Sequence, residues 1–483
     1  MRTFSLLFAA VVSLALVGGC TVGPNYRTPD ARMPGGWATL NRTSTQPSIA
    51  NEQATQIATW WERFGDPKLD ELIAAAIEGN LNLAQAKARL QQARALRAVS
   101  AGGLWPSVDL STSYRRSGQD SGISTGSNDR YQLGFDATWE IDVFGGQRRT
   151  VEAADARVFS SSADLMDVRI SLVAEVAVNY LNLRTSQQRL AISRKNLELQ
   201  QRSLDLTKRQ VAAGFAARLD LAQAEAQIAN TQAQIPGLRQ SAQQSVLELA
   251  LLLGKDSSAL LAMVDKVEPI PTTPPVVPTG LPAELLRRRP DIRRAEGALW
   301  AATANIGVAT ADLYPRFNLV GSIGTADSKM KGLFNWSNSL WSIGPTISWN
   351  VFDAGRIRAN IALAEAQNDE AKAFYYQSIL IAVRDVESAL TAYDFEQERR
   401  QRLQASVDAN RRAYDLANQL YAQGQVEFVN VLTAQQALLN SEDASAQSEA
   451  AVAKNLVALY KALGGGWADS EPNPVVAGSP AEK

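Results

Sequence analysis

The chain has 483 residues, 46% hydrophobic and 20% charged, with 48 basic side chains against 49 acidic ones, a balance that suits a folded protein with a large core. A net charge of -1 leaves no basic excess to neutralise phosphates, so no nucleic-acid partner is expected. Histidine is absent and Cys20 is the one cysteine, which removes His-dependent general-base chemistry, Ser-His-Asp and Cys-His triads, zinc sites built from His or Cys, and any disulfide within the chain.

The N-terminus reads as a processing signal. Met1-Arg2 gives a basic start, Phe4 to Val17 is apolar apart from Ser5 and Ser13, and Val17-Gly18-Gly19 precedes Cys20. The run is too short to span a bilayer and ends in small residues, as a secretory cleavage site does. This ending resembles the bacterial lipobox, in which the peptide is cut before the cysteine and the thiol carries a diacylglycerol. Val17 stands where Leu is common. Thr21 rather than Asp follows the cysteine, which in that pattern sends the lipoprotein to the outer membrane. Residues 1–19 are thus expected to be removed and Cys20 lipidated; no other cofactor and no metal is expected.

The rest is a tandem repeat. Leu104-Trp105-Pro106 recurs as Leu313-Tyr314-Pro315, Val143-Phe144 with Gly146 as Val351-Phe352 with Gly355, Gly214 as Gly424, and Leu253-Gly254 as Leu463-Gly464. One unit of about 185 residues is duplicated. The boundaries read as an extended N-terminal segment over 20–66, a first copy over 67–254, a Pro-rich extended linker over 255–280, a second copy over 281–464 and a loose tail over 465–483.

Each copy predicts helix, strand, strand, very long helix, turn and helix. Gln147 to Ala213 and Arg356 to Gln423 contain neither Gly nor Pro. Such spans make helices about 100 Å long and need continuous partners. The return segments, Ala216 to Leu253 and Gln425 to Leu463, are shorter, so Leu81 to Ala101 and Ile292 to Ala311 are expected to stack end to end with them. Pro236-Gly237 should bend or break the first return helix. Leu183, Leu190, Leu197, Leu204 and Val211 form one heptad row and Ile192, Leu199 and Leu206 another, on nearly opposite flanks. That pattern suits a helix wedged between two neighbours in a ring.

The strands predict a membrane barrel. Tyr131, Leu133, Phe135, Ala137, Trp139, Ile141 and Val143 alternate with polar or small residues, as do Trp341, Ile343, Pro345, Ile347, Trp349 and Val351. Val108 to Tyr114 and Phe317 to Ile323 are their weaker partners. Apolar-out, polar-in strands with aromatic ends match outer-membrane barrels. Four strands cannot close a barrel, and open edges cannot face lipid. Two chains give eight strands with a filled interior; three give twelve and a lumen.

The ordered set Cys20-Thr21-Val22-Gly23-Pro24-Asn25-Tyr26, Arg289-Pro290-Asp291-Ile292 with Ala295-Glu296, Tyr314-Pro315 and Ala462-Leu463-Gly464-Gly465-Gly466-Trp467 resembles the outer membrane efflux protein family. These are the TolC-like channels, and the set is closest to the OprM-like, NodT-type lipoprotein branch serving resistance-nodulation-division (RND) multidrug pumps. The resemblance covers essentially the whole mature chain. It implies an α+β membrane protein: a homotrimer with a twelve-stranded barrel in outer-membrane lipid, a periplasmic α-helical barrel of coiled-coil hairpins, and tips that meet an adaptor coupling the channel to an inner-membrane RND transporter. Substrate passes passively once an iris at the tips opens.

Mapped onto this chain, the tips fall at Val211-Ala212-Ala213-Gly214-Phe215 and Tyr421-Ala422-Gln423-Gly424-Gln425, with Gly214, Phe215, Gly424 and Gln425 as the adaptor contacts and Gly permitting a helix reversal. The aperture falls in the stretch Val429-Asn430-Val431-Leu432-Thr433, where related channels carry acidic residues or a Leu and an Asp. Here Asn430 and Thr433 are its polar positions, and Asp220 occupies the matching place in the first copy. Asp220 is read either as a ring of like charge near a threefold axis or as an ordinary polar-face residue. Other readings stay open: type I secretion, metal efflux (disfavoured by the lack of His and the four Met of the mature chain), or a lipid-anchored periplasmic coiled-coil tether with a small soluble sheet. A carboxylate enzyme finds no isolated acid pair, since Asp136, Glu140 and Asp142 share one strand face.

Overall fold

A computed structural model of the chain describes residues 21–31, 33–38, 48–49, 57–120, 125–264, 266–271, 277–278 and 285–467; the signal segment and Cys20 lie outside the described residues. Each copy has the expected order. The first comprises α1 (Pro67–Gly79), α2 (Leu81–Gly102), β1 (Ser107–Asp120), β2 (Thr125–Ile141), α3 (Gly146–Ala212) and α4 (Arg218–Leu253). The second comprises α5 (Pro290–Ala311), β3 (Arg316–Asp327), β4 (Ser339–Ser348), α6 (Arg356–Ala422) and α7 (Phe428–Ala462), preceded by the single turn Leu285–Arg288. Helices α3 and α6 each run 67 residues. Both start after a left-handed glycine, Gly145 (φ 81°) or Gly355 (φ 87°), and a nearby carboxylate, Asp142 or Asp353, accepts from the first free N–H groups. The structural counterpart of Gly355 is therefore Gly145, one residue before the glycine that sequence matching selects. No helix among the described residues is long and apolar enough to cross a membrane.

The four long strands form one antiparallel sheet in the order β1-β2-β3-β4. Its register aligns Leu110, Phe135, Ile323 and Trp341 across all four strands, and Val108, Ala137, Gly321 and Ile343 in the row below. Asp109, Asp136, Ser322 and Ser342 lie in step on the opposite face, where Ser322 and Ser342 share a 2.8 Å hydrogen bond and Ser111 reaches Asp136 at 2.7 Å. One face is thus apolar and the other polar, as the alternation predicts. Strand β4 ends at Ser348, so Trp349 and Val351 lie beyond it. The Trp349 indole instead donates to Leu313 O at 3.0 Å, and Trp139 makes the repeat-related bond to Leu104 O at the same distance. Gly134 and Gly324 oppose each other across β2 and β3, and a Cβ on Gly324 would lie 2.5 Å from the Leu133 carbonyl.

The helices form a row. Next to the sheet α3 packs against α2 and α5, and α5 against α6; farther out α3 packs against α4 and α7, and α7 against α6. The stacking is end to end as expected, with Asn80 bonded to Leu252 O where α4 meets α2, and Arg289 bonded to Ala462 O where α7 meets α5. Pro236 does not break α4, which is continuous, with Thr231 and Leu238 buried on either side of it. The main core surrounds these two joints and gathers Trp37, Trp60, Phe64, Leu69, Tyr180, Val246, Ile292, Tyr393 and Leu456.

Two sequence motifs gain a structural reason. Arg149, nearly inaccessible, donates to Val22 O, Gly23 O and Asn25 Oδ1, while Gly23 packs so closely on Gly307 that a Cβ would lie 2.5 Å from its Cα. Tyr26 stacks on Trp300 at 5.9 Å, so Thr21 to Tyr26 lies as a strap over α3 and α5. The tail expectation is corrected for its first residues. Gly464 to Trp467 is packed rather than loose: Gly466 N–H donates to Ile57 O, Gly465 seats against Ile57, and Arg293 lies over the Trp467 ring at 5.3 Å. Residues 468–483 lie outside the described residues. The linker is also corrected, since it opens with two short 3-10 turns, Ser257–Ala259 and Leu261–Met263. Buried side chains of α3 hold it: Gln187 donates to Met263 O and Val264 O, and Arg184 to Lys266 O and the Glu268 carboxylate. Of its prolines, Pro274 and Pro275 lie outside the described residues, while Val277–Pro278 pairs in parallel with Ser48–Ile49.

Candidate functional site at the helical tips

The two helix reversals farthest from the sheet have one geometry. After α3, Gly214 (φ 79°) donates to Val211 O and Phe215 to Gln210 O; after α6, Gly424 (φ 72°) donates to Tyr421 O and Gln425 to Leu420 O. This pair of bonds closes a helix C-terminus and needs a left-handed residue at its first donor. A Cβ on either glycine would meet nothing within 4 Å, so backbone conformation alone selects glycine. Such a closure commonly packs the second donor's side chain back on its helix. Phe215 does not: it is 86% exposed, projecting at the very tip, and Gln425 is exposed as well.

Return helices α4 and α7 begin in parallel fashion. Asp220 and Asn430 each stand at the third helical position. The Asp220 carboxylate accepts from the Ala217 N–H at 3.1 Å, half of a reciprocal cap whose other half is missing because Ala217 has no side-chain acceptor. A negative charge there also suits the helix N-terminus. Asn430 instead donates to Glu427 O at 3.3 Å, and Thr433 donates to Val429 O at 2.8 Å. Val429, Asn430 and Thr433 share one exposed face of α7, while Phe428, Val431 and Gln435 are buried on the other. Asp220 is thus not on that face but on the neighbouring hairpin, partly buried.

What joins the two hairpins is the first residue of the second tip, whose part in that contact the sequence does not reveal. Tyr421, 5% exposed, bonds the Thr207 hydroxyl at 3.3 Å, and its carbonyl accepts from Gln210 at 3.3 Å, so the second tip is tied to α3 of the first. Its ring packs on Phe428 at 5.2 Å within a small core of Ala224, Tyr414, Val431 and Leu438. Burial pushes the Tyr421 hydroxyl above the usual phenol range; the bond to Thr207 lowers it in part, and the Asp220 carboxylate adds to the rise.

The heptad rows of α3 also read differently in three dimensions. Leu183 and Leu190 are buried, but beyond them Leu197, Leu204, Leu199 and Leu206 are only half-buried, and the fully buried row between them is Ser193, Asn196, Gln200, Ser203 and Thr207. On a helix these polar positions fall midway between the two leucine rows, facing the partner helices. Asn196 reaches Glu442, which Arg411 meets at 2.6 Å, and Gln200 reaches Thr231 at 2.9 Å. Spacing of three and four among these polar residues was the available signal. Asn196 Oδ1 and Gln200 Oε1 have no partner in this single chain. Among the described residues no three side chains are grouped to hold a metal.

With this geometry in hand, known proteins supply a direct comparison. The profile of a family described as outer membrane efflux protein matches residues 72–255 and 281–465, once per copy. The solvent efflux pump outer membrane protein SrpC of Pseudomonas putida is 34% identical over 95% of this chain and 98% of its own. The outer membrane protein OprJ of Pseudomonas aeruginosa is 33% identical over 97% of each. Among solved structures, the outer-membrane channel OprN is 38% identical, covers 93% of this chain with all of its own, and superposes with a TM-score of 0.86.

Proposed function

The chain belongs to the outer membrane efflux protein family, and on that premise we propose that three copies close into one channel that receives small organic molecules from an inner-membrane RND pump through a periplasmic adaptor. The protein is an outer-membrane efflux channel reaching into the periplasm, and its relatives are channel and transport proteins rather than enzymes. Its task is conduction.

The observation that carries the trimer is the pair of open sheet edges. Strands β1 and β4 each pair on one side only, in a sheet whose apolar face is turned to solvent in the single chain. Each unsatisfied backbone group in hydrocarbon costs several kcal/mol, so both edges need strands. Three copies give twelve strands and an open lumen lined by the polar face. The helix row supports the same closure: its end helices leave Leu380, Phe395 and Leu416 of α6 exposed on one side and Val99 of α2 and Leu251 of α4 on the other. A head-to-tail contact between such flanks generates a ring.

In this reading Val429, Asn430 and Thr433 encircle the periplasmic aperture, and Tyr421 with Thr207 keeps the second hairpin against the first in the closed form. Phe215 and Gln425, presented by Gly214 and Gly424, meet the adaptor; the exposure of Phe215 supports that role. Asp220 caps α4 and contributes negative charge beside the aperture. The lipid on Cys20 anchors the chain where the strap begins, since Thr21 lies against Gly145 at the sheet end of α3. The protein mass of the detergent-extracted particle, measured by light scattering with detergent subtracted, tests the assembly. Three chains per particle is the expected result; a stable, monodisperse single chain overturns it.

A further inference from the structure

The connection between β3 and β4, at the end of the sheet away from the helices, is folded. Asp327 accepts from the Lys329 N–H at 2.9 Å and from the Asn338 amide, and Thr325 donates to Leu333 O at 2.7 Å. Gly332 sits so tightly on the Asp327 carboxylate that a Cβ there would overlap it. Two 3-10 turns, Met330–Phe334 and Trp336–Asn338, complete the loop.

The side of the sheet on which it lies follows from the register. Thr325 pairs with Leu133 and Asp327 with Tyr131, in step with Ile323 opposite Phe135. Thr325 and Asp327 therefore belong to the apolar face. Thr325 is only 8% exposed, although it stands near the rim of a single-layer sheet, because Leu333 and its neighbours cover it. The first turn also touches β2. The loop is thus folded back over the apolar face and not across the polar one. It leaves Met330, Phe334 and Trp336 largely exposed, with Lys329 and Lys331 between and beside them.

We infer that this loop is a lipid-binding foot that seats the barrel in the outer leaflet. Its two lysines meet the phosphates of the anionic glycolipid lipid A, and Met330, Phe334 and Trp336 enter the boundary between headgroups and acyl chains. The inference rests on the outer-membrane barrel reading. Two features select this occupant. The loop is continuous with the apolar face that lipid must cover, and it joins large apolar side chains to cations, the combination that holds an element at an anionic membrane interface. Trp in particular favours that depth.

The test uses the full-length protein in vesicles containing lipid A and phospholipids brominated high on the acyl chain. The chain has ten tryptophans, so quenching of the parent is compared with that of Trp336→Phe. The expected result is a quenched component in the parent that the variant lacks. In detergent, lipid A should raise the melting temperature of the parent, and the Lys329→Glu/Lys331→Glu pair should lose most of that rise, while phosphatidylcholine affects neither. Both variants must still migrate as folded, heat-modifiable particles. Equal quenching of parent and Trp336→Phe, with a lipid A response unchanged by the lysine pair, overturns the inference. Failure of the parent itself to insert and conduct would instead sink the barrel reading.

Discussion

The side-chain amide of Asn80 donates to the carbonyl of Leu252 at 2.8 Å while its oxygen accepts from the Leu83 N–H at 2.9 Å, so one side chain joins the end of α4 to the start of α2. Arg289 does the corresponding work in the second copy. It donates to Ala462 O at 3.0 Å from the start of α5, and the Asp291 and Asp385 carboxylates hold its guanidinium. In both joints the negative end of one helix dipole faces the positive end of the next. Two short helices thereby act as one column alongside a 67-residue helix.

Asn80→Ala removes the cap and the donor together and should cost about 2 kcal/mol, combining roughly 1 for the cap with the loss of the bond to the half-buried Leu252 carbonyl. Asn80→Asp keeps the capping oxygen but loses the donor, so its loss should be smaller. Thermal melts followed by circular dichroism of the two variants check this. Equal losses would mean that the cap on Leu83 is energetically idle, and an unaffected Asn80→Asp would mean the same of the Leu252 contact.

Gly324→Ala should impair barrel assembly, because its Cβ would lie 2.5 Å from a backbone carbonyl that the sheet cannot move. Gly344→Ala, on the same polar face, meets nothing within 4 Å and should assemble normally. Heat-modifiable migration on gels separates the outcomes.

Tyr421→Phe and Thr207→Val should each loosen the second tip. A lost hydrogen bond of about 1 kcal/mol shifts an open-to-closed ratio roughly fivefold. Single-channel recordings should therefore show more open time for both variants, with no further gain in the double variant, because both remove the same bond. Additive gains would place the tie elsewhere.

Alkaline pH should destabilise the helical part of the chain, where Tyr375 of α6 is buried near Glu296 of α5. Burial pushes the Tyr375 hydroxyl up to about 12, with Glu296 and then Tyr376 adding to the rise. The folded chain thus holds this proton more tightly than the unfolded chain, whose tyrosines titrate near 10. Stability is then intact below about pH 10 and falls as pH rises toward 12. Tyr375→Phe should flatten that fall, as read from melting temperatures between pH 9 and 12.

Much was legible from local pattern. The duplicated frame, both 67-residue helices, the reversals at Gly214 and Gly424 and the alternation of the strands depend on periods of two, three and a half or four residues, or on the conformational freedom of glycine. Those constraints act between neighbours in sequence, so the sequence alone determined which segments are helix or strand and which strand face is apolar.

What only the tertiary structure decided are relationships across long separations. The leucine rows of α3 pointed to two apolar seams, yet beyond Leu190 the buried row is polar, because three partner helices supply Glu442, Thr231 and Tyr421 to it. Gly464 to Trp467 looks like a loose tail by composition and is packed because Ile57 and Arg293 converge on it. The opposition of Gly134 and Gly324, the Asn80 joint and the fold-back of the loop over Thr325 likewise leave no periodic trace. A hydrogen bond or a packing contact between residues far apart in sequence requires only that both chemistries be present, and their positions become complementary when the chain has closed upon itself.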